Sequence, residues 1–390
     1  MTEPDIQQVV ILDRITDVSS MEWNALLPAD ANPFLRHEFL SALEETGCVG
    51  GNTGWQIAHL ALKNHGQLIG AVPLYLKQHS YGEFVFDWSW AQAYEQQGMH
   101  YYPKILCAIP FTPVQGPRLL CSSQHDGDNI RRILVNSLKS LISDNNLSSA
   151  HILFPIKSEI EILKTEGFLL RDSVQFHWKN HNFQSFEHFL SALTMKRRKN
   201  IRREREQVSR EGITFRHVSG VNSSAEDWEF FFSCYQRTYI EHHSSPYLNK
   251  AFFALWVERM PETLHLIIAE RHTTPIASSL LVVDQSNSKA YGRYWGALDR
   301  VACLHFETAY YQAIEYCIAE GIHTFEGGAQ GEHKMARGFL PETIQSAHWI
   351  NDPRFSRAIE HFLEREHQGI GAYVDELAEH SPLKSTKVST

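Results

Sequence analysis

The sequence predicts an α+β protein made of two tandem units, each a mixed, mostly antiparallel sheet flanked by helices. Length, an internal repeat and the order of hydrophobic patterns within each repeat all point to this. At 390 residues the chain exceeds what one hydrophobic core usually serves. Residues 61–76, ALKNHGQLIGAVPLYL, and 268–283, IAERHTTPIASSLLVV, align without a gap at a displacement of 207. Both read strand, polar turn, strand. His65 falls on His272, Ile69 on Ile276 and Leu74 on Leu281, and the same displacement carries Trp88 onto Trp295.

Downstream the match continues at shorter displacements. The helical pattern of residues 130–144 leads into the strand AHILF at 150–154, as residues 305–319 lead into HTFEG at 323–327. In the second helix Phe306, Ala309, Tyr310, Ala313, Ile314, Cys317 and Ile318 recur at the spacing of one buried face. Each half then closes on a related stretch, LKTEGF ending at Phe168 and KMARGF ending at Phe339. A hairpin followed by strand, helix and strand makes a mixed sheet covered by helices. The expected division is 1–180 and 181–380, with a basic helix at 192–210 in the second unit and a frayed polar tail at 381–390.

Composition narrows the function classes. An apolar content of 43% supplies two cores, and 21% charged residues argues against general disorder. A net charge of −9 excludes a surface-wide nucleic-acid coat, so DNA is not an expected partner and any polyanion site is local. No stretch approaches the roughly 18 apolar residues of a membrane span, and the first residues show no basic-then-apolar leader, so a cytoplasmic protein without a transmembrane segment is expected. Six scattered cysteines with no Cys-x-x-Cys pair read as buried free thiols. Neither a P-loop nor a Gly-x-Gly-x-x-Gly after a strand is present. No metal site is expected, because His177 and His181 lack a third ligand at suitable spacing. Cys303 and His305 likewise lack a third partner for a cysteine hydrolase.

The order of elements resembles the GNAT acyltransferase fold, and its tandem use resembles the FemAB-like group of N-acyltransferases. The blocks that carry this in the first half are NPFLRHEFLSALEETGCVG (32–50), the hairpin at 60–76, HSYGEFVFDWSWA (79–91) and IPFTPVQGPRLL (109–120). In the second they are MKRRKNIRRERE (195–206), YWGALDR (294–300) and FEGGAQGEHKMARGF (325–339). The resemblance implies transfer of an acyl or aminoacyl group from acyl-CoA or aminoacyl-tRNA, used as co-substrate with no tightly bound cofactor, to an amine on a small molecule or cell-wall precursor. Aminoacyl-tRNA-dependent transfer onto a peptidoglycan precursor is one alternative, with tRNA as a partner. A non-catalytic binding module on the same fold is the other. CoA-using members carry an Arg/Gln-x-x-Gly-x-Gly/Ala loop that holds pyrophosphate at a helix N-terminus. The corresponding GALDRVACL (296–304) has a single glycine, which keeps aminoacyl-tRNA beside acyl-CoA as donor.

Transfer to an amine needs a group that takes a proton from an ammonium and donors that meet the tetrahedral oxyanion. Glu326, one residue before Gly327-Gly328 at a strand end, is the expected base; the alternative is an ion pair with Lys334 or Arg337. His305 and Glu307 at the start of the core helix are the other catalytic candidates, and Glu307 reads equally as an acid favouring the helix dipole. Arg293, Tyr294 and Gly296 after the hairpin, with Lys334 and Arg337 in the closing turn, are candidates for substrate binding. Seven basic residues between Lys196 and Arg205 put Arg198 and Arg202 on a helix suited to phosphate, or else on a salt-bridged solvated face. Asp87 and Trp88, with Trp90 and Tyr94, line an acceptor groove or belong to aromatic packing.

Overall fold

The computed structural model describes residues 7–328 and 331–384, which fall into two units: the chain up to Ser173 with Thr343–Gly371, and Val174–Glu342 with the residues from Ala372 on. Ala329 and Gln330 of the closing motif, and 385–390 of the expected tail, lie outside the described residues. The first unit begins with β1 (Gln7–Leu12), α1 (Ser20–Asn24), α2 (His37–Glu45), β2 (Trp55–Ile57), β3 (His59–Asn64), β4 (Gln67–Val72) and β5 (Leu74–Lys77). It continues through α3 (Trp88–Gln96), β6 (Lys104–Cys107), β7 (Leu120–Cys121), α4 (Gly127–Asp144), β8 (Ser149–Leu153), α5 (Lys157–Thr165) and the start of β9 (Leu169–Lys179). The second runs through α6 (Phe186–Ala192), α7 (Met195–Arg210), β10 (Ile213–Ser219), α8 (Ala225–Glu241), α9 (Lys250–Arg259), β11 (Leu264–Arg271), β12 (Thr274–Asp284) and β13 (Lys289–Ala297). A helical run of α10 (Leu304–Phe306), a π turn (Glu307–Tyr311) and α11 (Gln312–Ala319) leads to β14 (Thr324–Glu326), β15 (Leu340–Ile350) and α12 (Pro353–Glu379).

The two aligned hairpins are one design used twice. β3 and β4 turn at His65-Gly66 with φ of 47° and 82°, and β11 and β12 turn at His272-Thr273 with φ of 48° and 70°. Two successive left-handed residues match the twist of the flanking strands. A register shift falls between Leu62 and Lys63 in one hairpin and between Ala269 and Glu270 in the other, at the displacement read from the sequence. A β-branched residue at positive φ is strained, so Thr273→Gly is expected to stabilise the protein by about 1 kcal/mol, read as a higher melting temperature. The closing stretches also agree. Gly167 (φ 85°) and Gly338 (φ 92°) are left-handed, and the next amide reaches back to end the preceding turn, Phe168 N to Leu163 O at 3.0 Å and Phe339 N to Lys334 O at 3.3 Å.

The first unit holds two sheets, β1-β3-β4-β7 and β15-β8-β6-β5-β2, and in the second of these β6 and β8 are parallel. Helix α4, capped by the Asp126 carboxylate, lays Ile130, Leu134, Leu138 and Ile142 on the strands. The second unit orders its strands β10-β11-β12-β13-β14-β9, antiparallel except for the parallel pair β13 and β14. Tyr310, Ala313, Ile314 and Cys317 of the core helical run pack there against Ile267, Leu281 and Phe325.

Three expectations need correction. Trp88 does not correspond to Trp295: it opens α3, 40% exposed, whereas Trp295 lies within β13, because the first unit places a helix and loop before its next strand. A linear division also fails. β15 gives Ser346–Ile350 to β8 of the first unit, and β9 gives His177–Lys179 to β14 of the second. The strand after each Gly-Phe turn thus serves the other unit. Finally, Ser381–Lys384 are not frayed: Thr194 N bonds Pro382 O and Lys384 N bonds Ala192 O, each at 2.9 Å, with Leu383 facing Leu193.

Candidate functional site

Strands β13 and β14 stay paired only from Lys289 to Tyr291 and from Thr324 to Glu326. Gly292 faces Leu281 while Tyr294 faces Leu280, so Arg293 is an extra residue in a β-bulge that turns β13 away from β14. Between the parted strands lies a cavity of about 100 Å³ lined by Arg293, Tyr294, Trp295, His305, Tyr310 and Gly327, among others. The rings of Trp295 and His305 stack at 5.0 Å. On their other side a cavity of about 580 Å³ runs along the loop from Asp299 to Leu304 and the end of α8. The π turn at Glu307–Tyr311 puts an extra residue into the core helix beside this wedge, a distortion common at functional sites.

Glu326 does not line that cavity. Phe325 packs against Phe339 in the core and Gly327 lines the wedge, so strand alternation turns Glu326 to the opposite face, in register with Tyr291 and His177. It is 7% exposed, and its Oε2 has no hydrogen-bond partner among the described residues. Burial pushes its carboxyl up to about 7, against the pull of Lys289, Lys179 and Arg293. The ion pair expected with Lys334 or Arg337 is not formed. Lys334 Nζ donates to Gly328 O at 3.0 Å, and burial lowers that amine to about 8. Arg337 lies over the Phe306 ring at 3.3 Å and donates to His333 O at 2.7 Å and to Glu204 at 3.1 Å. Across the wedge, burial holds His305 down at about 4, a neutral imidazole at pH 7.

The other sequence candidates fall elsewhere. Glu307 turns to α7, where Arg205 donates to it at 3.1 Å and Gln312 at 2.7 Å; burial raises its carboxyl. Arg205 also reaches Glu315 at 2.8 Å, so the basic helix is tied down by its C-terminal half. Its Ile201 and Val208 are buried as expected; Arg202 donates to Glu187, and Arg198 forms no ion pair among the described residues. Gly296 does not offer its backbone to a ligand on the α8 side, because a Cβ there would sit 1.9 Å from Cys234 O. Asp87, in the first unit, is buried and accepts from Lys104 Nζ at 2.5 Å and Tyr101 Oη at 2.6 Å. Trp88 stands beside it on the surface with its ring 5.0 Å from Tyr81. Sequence reasoning missed Trp295 and Tyr310 as cavity walls. The first was visible as a repeat position and the second only as one of many buried helical residues.

Among the described residues no group of three or more His, Cys, Asp or Glu is placed to hold a metal ion, and no helix is long and apolar enough to cross a membrane. Comparison with solved structures finds the C-terminal domain of a putative lysylphosphatidylglycerol synthetase from Agrobacterium fabrum at TM-score 0.53 and 8% identity, over 87% of this chain and 94% of that one. The L-PGS of Bacillus licheniformis matches at TM-score 0.50 and 7% identity, over 86% and 98%. A tandem GNAT protein from the clavulanic acid biosynthesis pathway also matches, at TM-score 0.47 and 10% identity, over 89% and 99%. At these identities the likeness to the first two is one of fold. No curated protein sequence matches. The family described as FemAB-like, peptidoglycan biosynthesis/recognition, matches from residue 14 to residue 385. The family match spans most of the chain, and this protein, whose second unit parts its central strands around a bulge, belongs to the FemAB-like family.

Proposed function

We propose that this protein is an N-acyltransferase that moves an acyl or aminoacyl group from an activated carrier to an amine, working in the cytoplasm where such carriers are made. The observation that supports this most is the cavity between the parted ends of β13 and β14. In this reading an extended carrier arm enters there beside His305 and Tyr310, and Glu326 lies on the opposite face of β14. In this reading the acceptor ammonium approaches on the Glu326 face and gives a proton to its carboxylate. The freed nitrogen attacks the carbonyl carbon, forming the C–N bond. Arg293, Tyr294 and Lys334 are the donors for the oxyanion. Collapse breaks the carbon–sulfur or carbon–oxygen bond to the carrier, which leaves with a proton. The family's link to peptidoglycan favours a cell-wall precursor as acceptor. The face of α7 bearing Arg198 and Arg202 suits a phosphate-bearing carrier.

The test is incubation with acyl-CoAs or charged tRNA and an amine-bearing peptidoglycan precursor, followed by mass spectrometry. The acceptor is expected to gain the acyl or aminoacyl mass only when the protein is present. Ala309→Leu, which fills the wedge cavity, is expected to lower donor use at least ~10-fold with melting unchanged. If no donor is consumed and none raises the melting temperature, the chain is a binding module. Salt separates the carriers: a tRNA held through several phosphates loses affinity steeply as salt rises, whereas CoA shows a shallow slope.

A further inference from the structure

In the first unit the counterparts of β13 and β14 are β6 and β8, parallel over Ile105–Cys107 and Ala150–Ile152. Past Cys107 the chain leaves the strand and returns as β7. Leu74 faces Cys107 but Ala71 faces Leu120, so three positions along the partner strand are matched by thirteen along this one. The second unit has a single extra residue at that place, Arg293. Because β7 belongs to a different sheet from β8, the strands are parted here too.

In the first unit the chain itself fills the gap. Gly116 N donates to Phe154 O at 3.1 Å, and Gln115 Nε2 donates to Pro155 O at 3.2 Å. Arg118 is fully buried; its Nε donates to Leu153 O at 2.9 Å and its Nη2 to Val114 O at 2.6 Å. The carbonyl of Leu153 at the end of β8, and those of Phe154 and Pro155 just beyond it, are thereby satisfied. Glu159 of α5, also fully buried, holds the segment from behind, accepting Arg118 N at 2.9 Å and Leu119 N at 2.8 Å.

We infer that residues 114–119 are a built-in occupant of the first unit's cleft, closing it as a transfer site, so that the chain presents one donor cleft, in the second unit. The statement about the second unit rests on the transferase reading above; the occupancy of the first cleft does not. Arg118 is the occupant's anchor and Glu159 its lock.

Hydrogen exchange on the intact protein, with no ligand added, tests this independently of activity. Peptides covering 114–119 are expected to exchange as slowly as those of β6 and β8. Exchange as fast as in the exposed turn at 123–126 overturns the inference, since the segment is then a lid that opens freely. Glu159→Gln keeps the shape and removes the charge. It is expected to speed exchange at 114–119 at least ~10-fold while leaving β11, β12 and β13 unchanged. No change, or an equal change in both units, overturns the assigned lock. If no acyl donor is ever consumed but the exchange pattern holds, the transferase reading fails and the occupied cleft stands.

Discussion

Glu326→Gln is expected to slow transfer by at least ~100-fold while leaving donor binding and the fold intact. The side chain is 7% exposed on the face of β14 opposite that of Phe325, and the amide has nearly the same shape as the carboxyl. Because burial lifts the carboxyl to about 7, the two forms are comparably populated near neutrality, where a base is most effective. On the proposed role of Glu326 as base, the wild-type rate is expected to rise with pH through about 7 as its carboxylate forms, and the Gln variant is expected to lose that rise. Stability moves the other way. A carboxyl raised from 4.5 to about 7 favours the folded state when protonated; that contribution is complete below pH 4.5 and is lost as pH rises through about 7. Above pH 7 the Gln variant, which carries no buried charge, is expected to be more stable than wild type by up to about 3 kcal/mol. A pH–rate profile and paired melting curves check both. An unchanged rate and profile in the variant removes Glu326 as the base.

Gly296→Ala is expected to destabilise the second unit by ~3 kcal/mol or more, with activity lost through the fold. The added Cβ would meet Cys234 O at 1.9 Å and Thr238 Oγ1 at 2.8 Å. A carbonyl within a helix cannot move aside as a flexible side chain can. Thr238 Oγ1 also donates to Trp295 O at 2.8 Å, and the Tyr235 and Tyr294 rings meet at 5.1 Å, so α8 and the outer half of β13 are fixed to each other. Pushing α8 off Gly296 disturbs the strand that carries Arg293 and Tyr294. The matched control is Gly369→Ala, in α12 with nothing within 4 Å of the added carbon, expected to be neutral or stabilising by about 1 kcal/mol. Equal melting temperatures for the two variants defeat the packing explanation. The close approach of α8 requires glycine at position 296 on packing grounds alone.

The repeated local architecture is legible in the chain alone: the hairpins with turns at His65-Gly66 and His272-Thr273, the helices leading into β8 and β14, and the left-handed Gly167 and Gly338 before buried phenylalanines. Each of these is set by neighbours within a few residues, through backbone φ, alternation and helical spacing, and so is written in a short stretch of chain. The cavity residues Arg293, Tyr294 and His305 were found for the same reason, as polar or aromatic residues at element ends. Which strand completes which sheet is settled by long-range packing, so that β9 and β15 serve opposite units. The same packing decides that Glu326 faces away from the wedge, that Glu307 is held by Arg205, and that Arg118 lies buried in a cleft of the first unit. Those outcomes depend on contacts between residues tens to hundreds of positions apart, where burial and hydrogen-bond satisfaction of the whole unit, and not local preference, choose the partner.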